Sequence, residues 1–483
     1  MSRQTTVIIG AGLGGLATAL RMAHTGDRVI VLEKTDRIGG RNRAETVNGC
    51  TFDGGPTLMM MLDPFYKLFA DVGERLEDHL DIELCDPSYR VFYSDGSRLD
   101  GSPNIAKMVR QIHEICGPKD AQAYAALIGD LGALYRDAMP NFVQKNFDSP
   151  LDFFGFKQLG LVARHGMLSN LGKRIERYVD DPRLRMLFTF QTMYLGLSPF
   201  EAPWVYSVLT YMEYGEGIWY PKGGMVEICG SVARLAEKKG AEIRLNSPVK
   251  SVVGKRVELE SGEVIEADSV VCNADLPYAE RALQKAPSPK KRRYSCSAYM
   301  MYIDYAGSLP TLLHHNVFFG PDFKGNLDQI FHKLVLPDDP AFYACVSARS
   351  DAAKAPAEHE NLYVLVPCPN LDRPWSEADA VDLQEKIFRR LAKEAGFDRS
   401  LVQGIQTRSP QDWADELNLD RGAAFGLSHD FWQSAFFRPS NQSKSNPDMV
   451  FVGASTVPGN GLPMVLISAE LAQDRLLKKR AKR

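Results

Sequence analysis

Val7-Ile8-Ile9-Gly10-Ala11-Gly12-Leu13-Gly14-Gly15-Leu16 is the stretch that decides the fold of this 483-residue chain. Three apolar residues run into Gly10-x-Gly12-x-x-Gly15, a helical segment continues to Gly26, and Val29-Ile30-Val31-Leu32 follows as a second apolar strand. Strand, tight turn, helix and strand in about thirty residues make a βαβ unit, and strands this continuously apolar suit a parallel sheet covered on both faces. Each glycine then has a physical task. Gly10 makes the turn, Gly12 lets backbone approach a pyrophosphate, and Gly15 lets helix and strand pack closely, with Leu13 and Gly14 completing the turn. The helix N-terminus adds free amides and a favourable dipole. Glu33 ends the second strand eighteen positions after Gly15, where a carboxylate can bond both ribose hydroxyls and disfavours a 2′-phosphate. Lys34 stands beside it in the expected dinucleotide contact set.

The length exceeds one compact core, so two or more regions are expected. Hydrophobic residues at 45%, charged residues at 24% and a net charge of -3 exclude a disordered or fibrous chain, and nothing points to nucleic acid. The eight cysteines are scattered without a C-x-x-C spacing and read as buried thiols of a reducing compartment. The nine histidines show no ligand spacing, and His314-His315, if placed in a strand, would point to opposite faces, so no metal is expected. No signal peptide and no apolar run of roughly 18 residues are found, which predicts a cytoplasmic protein free to touch the inner face of the cell membrane.

Periodicity predicts helices near 64–72, 105–115, 121–138, 182–195 and 377–395. It predicts strands near 241–245, 249–253, 256–259, 269–272, 295–303, 361–366 and 449–453, and a last helix from about Pro463. After the second strand come Arg37-Ile38-Gly39-Gly40-Arg41 and Phe52-Asp53-Gly54-Gly55-Pro56. This order resembles the flavin amine-oxidase and carotenoid-desaturase superfamily, in which the glycine pair and its arginine lie along the cofactor phosphates. Gly40, Arg41, Gly55 and Pro56 thus favour FAD over NAD. Near the other end, Phe451-Val452-Gly453-Ala454-Ser455-Thr456-Val457-Pro458-Gly459-Asn460-Gly461-Leu462-Pro463-Met464 places a glycine-rich turn between strand and helix. Backbone amides around Gly453, Ala454, Gly461, Leu462, Pro463 and Met464 could face the flavin pyrimidine and stabilise the charge it gains on reduction.

Over nearly its whole length the chain resembles the bacterial carotenoid desaturases, phytoene and dehydrosqualene (diapophytoene) desaturase. The motifs are GAGLGGL, Phe190 to Gly196, Gly217 to Met225, Tyr294 to Ala298, His315-Asn316-Val317 and the C-terminal turn, several of them closer to the thirty-carbon than to the forty-carbon branch. The resemblance implies an α/β fold: a Rossmann-type FAD-binding domain (1–75, 220–290, 440–483) with a mainly parallel sheet, interleaved with an α+β substrate domain (76–219, 291–439) that carries a helical, membrane-facing lid. It implies hydride transfer from an allylic C–H to flavin N5 with proton loss from the neighbouring carbon, quinone or oxygen as electron acceptor, and Val249 and Asn273-Ala274-Asp275 near the adenine. The C-terminal turn departs from the wider superfamily in having no acid for the ribityl chain, and Val457 where relatives often carry histidine excludes a histidine acid or base at that point.

A long isoprenoid needs an apolar, water-free tunnel. Phe153, Phe154, Phe190, Tyr194 and Trp204 are candidate lining residues, core packing being the alternative for each. Asp152 is a candidate proton acceptor, while Glu201 and Glu213 read as solvated. Residues 151–164, with Lys173, Arg174 and Arg177, suit either an interfacial helix or one packed on its own domain. The basic tail from Lys478 to Arg483 suits anionic lipid or a helix cap. A carotenoid end-group oxygenase, a flavin amine oxidase and a non-catalytic FAD-binding escort are the competing readings.

Overall fold

The structure, a computed structural model, describes residues 3–287 and 292–481. β1 (Thr5–Ile9), α1 (Leu13–His24) and β2 (Arg28–Leu32) form the opening unit, with β1 and β2 parallel and Val7 opposite Ile30. Residues 7–9 and 29–32 are all buried, which is why neither strand alternates. Three strands from far along the chain join them: β3 (Ala241–Arg244) beside β2, β4 (Ser269–Cys272) beside β1, and β5 (Met449–Phe451) beside β4. The parallel order β5-β4-β1-β2-β3 reverses direction between β1 and β4, so a crevice opens there at the carboxyl ends.

On one face, α1 shares a core with helix Val226–Lys238 and with α2 (Leu462–Ala481), through Leu16, Leu20, Val232, Leu466 and Ala469. On the other, Val252, Val257 and Ile265 of a three-stranded antiparallel sheet share a core with Val7, Ile30 and Cys272.

A second, seven-stranded sheet runs in the order Val402–Arg408, Ser297–Tyr305, Glu360–Cys368, Phe342–Val346, His315–Phe318, Tyr89–Phe92, Arg98–Gly101. Ser297–Tyr305 is buried at every position because Leu383, Ile387 and Leu391 of helix Glu377–Ala395 cover one face while Phe52, Trp413 and Leu419 cover the other. Phe92, Phe318 and Phe342 stack across three neighbouring strands, 4.3 Å between successive ring centroids. The helical layer of residues 105–216 has its own core around Tyr124, Leu127, Phe188, Phe190 and Tyr214.

Two local expectations are corrected. Between the helices Asp63–Ala70 and Ile105–Cys116 stand three short strands, Ile82–Cys85, Tyr89–Phe92 and Arg98–Gly101, where periodicity predicts no strand. Four residues are too few to show a period of two, and two of these strands pair with distant partners: Ile82–Cys85 with Ile218–Pro221, and Tyr89–Phe92 with His315–Phe318. The helix expected over 182–195 ends at Leu187 and resumes as a 3₁₀ segment at Phe190–Leu195.

Candidate active site

A cavity of about 730 Å³ begins at the carboxyl ends of the parallel sheet and continues into the helical layer. Gly10, Gly12, Leu13 and Gly14 after β1, Glu33 and Lys34 after β2, Asn273 after β4 and Gly453 after β5 all line it. α1 is preceded by Gly12, which offers no side-chain cap, and its first turn holds no acid, so its leading amides are left for an anion. A Cβ on Gly12 would come within 2.7 Å of Asn273 Nδ2, and one on Gly14 within 2.6 Å of Asn273 Oδ1. Gly15 faces the other way, off the cavity wall, where a Cβ would stand 2.0 Å from the Gly10 carbonyl oxygen. The Glu33 carboxylate accepts from Ala11 N at 2.8 Å and from Thr35 N at 3.0 Å, which holds it at the turn.

Gly40, Arg41, Gly55, Pro56 and Val249 continue the wall. Arg41 donates to the Ala424 carbonyl at 2.9 Å; burial pulls its pKa down and Asp275 opposes that. Uncapped helix amides, a guanidinium and backbone bare of Cβ atoms fit a dinucleotide diphosphate.

The far wall of this polar end is the glycine-rich turn, where Gly453, Ala454, Gly461, Leu462, Pro463 and Met464 line the cavity. Arg438, 3% exposed, holds the turn by donating to the carbonyls of Ala454 and Thr456, and burial lowers its pKa to about 10. The carboxylate and the imidazole missing from the turn's own sequence are supplied from elsewhere. Asp275 accepts from Ser455 Oγ at 2.6 Å, and buried His429 has its Nε2 3.4 Å from Asn460 N. At position 457 the turn itself carries valine, and the histidine beside it comes from a separate segment. Burial, with Arg438 nearby, holds the His429 pKa well below the usual range, so the ring is neutral.

Beyond the turn the wall becomes apolar, with Phe153, Phe154, Phe190 and Tyr194 on it. Trp204 is not on it; its ring stacks on Tyr178 beneath the Arg174 guanidinium. Asp152 is exposed and off the wall, its carboxylate accepting from Ser149 N at 2.9 Å as part of a capping box. Glu201 is solvent-exposed, but Glu213, expected to be solvated, is 1% exposed. It accepts from Tyr194 Oη at 2.7 Å, Gln191 Nε2 at 2.8 Å and Tyr89 Oη at 3.0 Å. Burial raises its pKa to about 7 against the pull of those hydrogen bonds.

At the apolar end the wall includes Phe154, Leu159, Leu168, Phe431 and Phe437, each strongly exposed, beside Phe156 at 98% and Trp432 at 69%. Phe436 bridges the two segments, 5.7 Å from Phe153 and from Phe154 between ring centroids. The basic tail is partly committed elsewhere: Lys479 pairs with Asp448 and Arg480 with Asp27, while residues 482–483 lie outside the described residues. Among the described residues no helix is long and apolar enough to cross a membrane. The histidine expectation is also corrected: His314 precedes the strand that His315 opens, so the two rings are not on opposite faces but 4.0 Å apart.

Glu213 was expected in solvent, and His429 and Arg438 were not among the expected site residues. Glu213 lay within an aromatic run that marked burial; His429 and Arg438 carried no local signal, because only the fold brings 429–438 against 453–460.

The model of the flavin-containing amine oxidoreductase family matches residues 13–477. The chain is 42% identical to a zeta-carotene-forming phytoene desaturase of Myxococcus xanthus over 98% of this chain and 93% of that one. It is 35% identical to a phytoene desaturase of Neurospora crassa (98% and 85%), and 32% to a diaponeurosporene-forming 4,4′-diapophytoene desaturase of Staphylococcus aureus (98% of each). Identity is therefore higher to these phytoene-type relatives, against the thirty-carbon leaning of the motifs. Among solved structures, an oxidoreductase from Methanosarcina mazei superposes with a TM-score of 0.65 at 17% identity (97% of this chain, 100% of that one). Putrescine oxidase bound to putrescine superposes at 0.62 and 16% identity (98% and 99%).

Proposed function

The chain belongs to the flavin-containing amine oxidoreductase family, in its carotenoid desaturase branch, and from that premise we propose that it desaturates a long isoprenoid, phytoene or dehydrosqualene, with FAD as cofactor. The observation that carries this reading is one cavity with a diphosphate cradle at one end and an apolar corridor that reaches exposed aromatics at the other. FAD, when bound, supplies the hydride acceptor for the allylic carbon. The amides of α1, Arg41 and the glycine-rich turn would hold it, and the segments 1–75, 220–290 and 440–483 are assigned to that task.

The remaining work falls to the apolar wall, which aligns the polyene and keeps water away. The proton lost from the neighbouring carbon is assigned to Glu213 by way of Tyr194: the phenol receives it while passing its own proton along the 2.7 Å hydrogen bond to the carboxylate. A carboxylate with a pKa of about 7 can accept at neutral pH and release afterwards. Exposed Phe156, Trp432 and their neighbours suit insertion into the surface of a bilayer that dissolves the substrate. A quinone of that bilayer, or oxygen, would take up the electrons.

The test is expression in hosts that make either phytoene or dehydrosqualene. Pigment of extended conjugation in one host supports the assignment, whereas unchanged precursor in both overturns it. Product masses separate loss of two hydrogens from gain of oxygen. Purified protein in anaerobic liposomes, with and without quinone, identifies the acceptor.

A further inference from the structure

We propose that Cys85, His314 and His315 form a binding site for a soft metal cation, copper(I) or zinc(II), separate from the flavin cradle. The Cys85 sulfur and one nitrogen of each imidazole lie within 4.8 Å of one another. The three residues are 7, 5 and 0% exposed. They come from two regions that only the fold unites: Cys85 ends strand Ile82–Cys85, and His315 opens strand His315–Phe318 of the seven-stranded sheet.

Two observations point to a ligand and not to ordinary core packing. Nε2 of His314 and Nε2 of His315 are both buried without a hydrogen-bond partner. An orphaned buried polar atom of this kind is destabilising, so two side by side call for an occupant. Each Nδ1, by contrast, is tied down: that of His314 lies 2.6 Å from Ser350 Oγ, and that of His315 2.6 Å from Tyr343 Oη, which also meets Thr57 Oγ1 at 2.8 Å. With each Nδ1–H given to a hydroxyl oxygen, the lone pair of each ring sits on Nε2, the arrangement by which second-shell groups orient metal-bound histidine. Both rings are also neutral, because burial pushes His314 down to about 3 and His315 well below the usual range.

The donor set selects the metal. One sulfur and two imidazole nitrogens, with no carboxylate, suit soft or borderline cations and not magnesium or calcium. The Cys85 thiol, whose pKa burial raises to about 12, would lose its proton to solvent as the metal–sulfur bond forms. Copper(I) with one thiolate is neutral overall, which suits a buried place near the Lys354 ammonium. Bound metal would cross-link the strand Ile82–Cys85 to the large sheet behind Tyr343, a residue of the cavity wall.

The experiment uses the full FAD-loaded chain, desalted after incubation with copper(I) or zinc(II), with bound metal counted by mass spectrometry and Tm measured with and without it. One equivalent per chain and a raised Tm are expected for the wild type, and loss of both for Cys85→Ser and for His314→Gln, with flavin content reporting that each variant is folded. Wild-type protein that retains neither metal overturns the proposal, whatever the variants do. So does equal retention by wild type and Cys85→Ser, since the metal would then sit elsewhere.

Discussion

Gly12 has space for hydrogen only: a Cβ there would come within 2.7 Å of Asn273 Nδ2, on the cavity wall where α1 begins. Gly12→Val is expected to yield a folded protein without bound flavin, and a variant still yellow at wild-type stoichiometry would contradict the placement of the cradle. Glu213 makes two predictions of opposite sense. Its carboxylate must be ionised to accept a proton, so turnover should rise with pH through about 7, and Glu213→Gln should lose roughly 100-fold and that pH dependence with it. For stability the sign is reversed. A carboxyl group whose folded pKa is raised binds its proton more tightly in the folded state, so its contribution is complete below the unfolded value and fades as pH rises through about 7. The amount is roughly 3 kcal/mol at one pKa unit per 1.36 kcal/mol. Tm measured against pH should therefore fall more steeply for wild type than for Glu213→Gln between mildly acidic and neutral pH.

The elements owe their positions to the same few contacts. α1 lies close to β1 because Gly15 puts no atom between helix and turn. Gly15→Ala would force a Cβ to 2.0 Å from the Gly10 carbonyl and is expected to cost about 1–3 kcal/mol, read as a lower denaturant midpoint with an unchanged slope. β1, α1 and β2 were legible in the sequence because their partners are one another, and α2 and helix Glu377–Ala395 because each is long enough to show its period. The strand Ile82–Cys85 was not, because what holds it is pairing with Ile218–Pro221, more than a hundred residues away, and Tyr89–Phe92, though it forms a local hairpin with Arg98–Gly101, is too short to show a period of two.

At the scale of the molecule, the aromatic rim joins a segment foreseen as interfacial, around Phe154 and Phe156, to one that was not, Phe431 to Phe437. If this rim docks on lipid, the double variant Phe156→Ser/Trp432→Ser should release most of the protein from liposomes in a flotation assay while its flavin content stays at the wild-type value. Retention on liposomes equal to wild type would place the membrane face elsewhere.

What the sequence determined by itself is the opening βαβ unit and the family, since glycines at Gly10, Gly12 and Gly15 followed by Glu33 act through backbone conformation and near neighbours, and such constraints are written locally. The tertiary structure alone decided which ionisable groups are buried. Glu213, His429 and Arg438 look on paper like surface residues. Desolvation and hydrogen bonding depend on what the remaining chain packs around a side chain, and that is a property of the assembled fold.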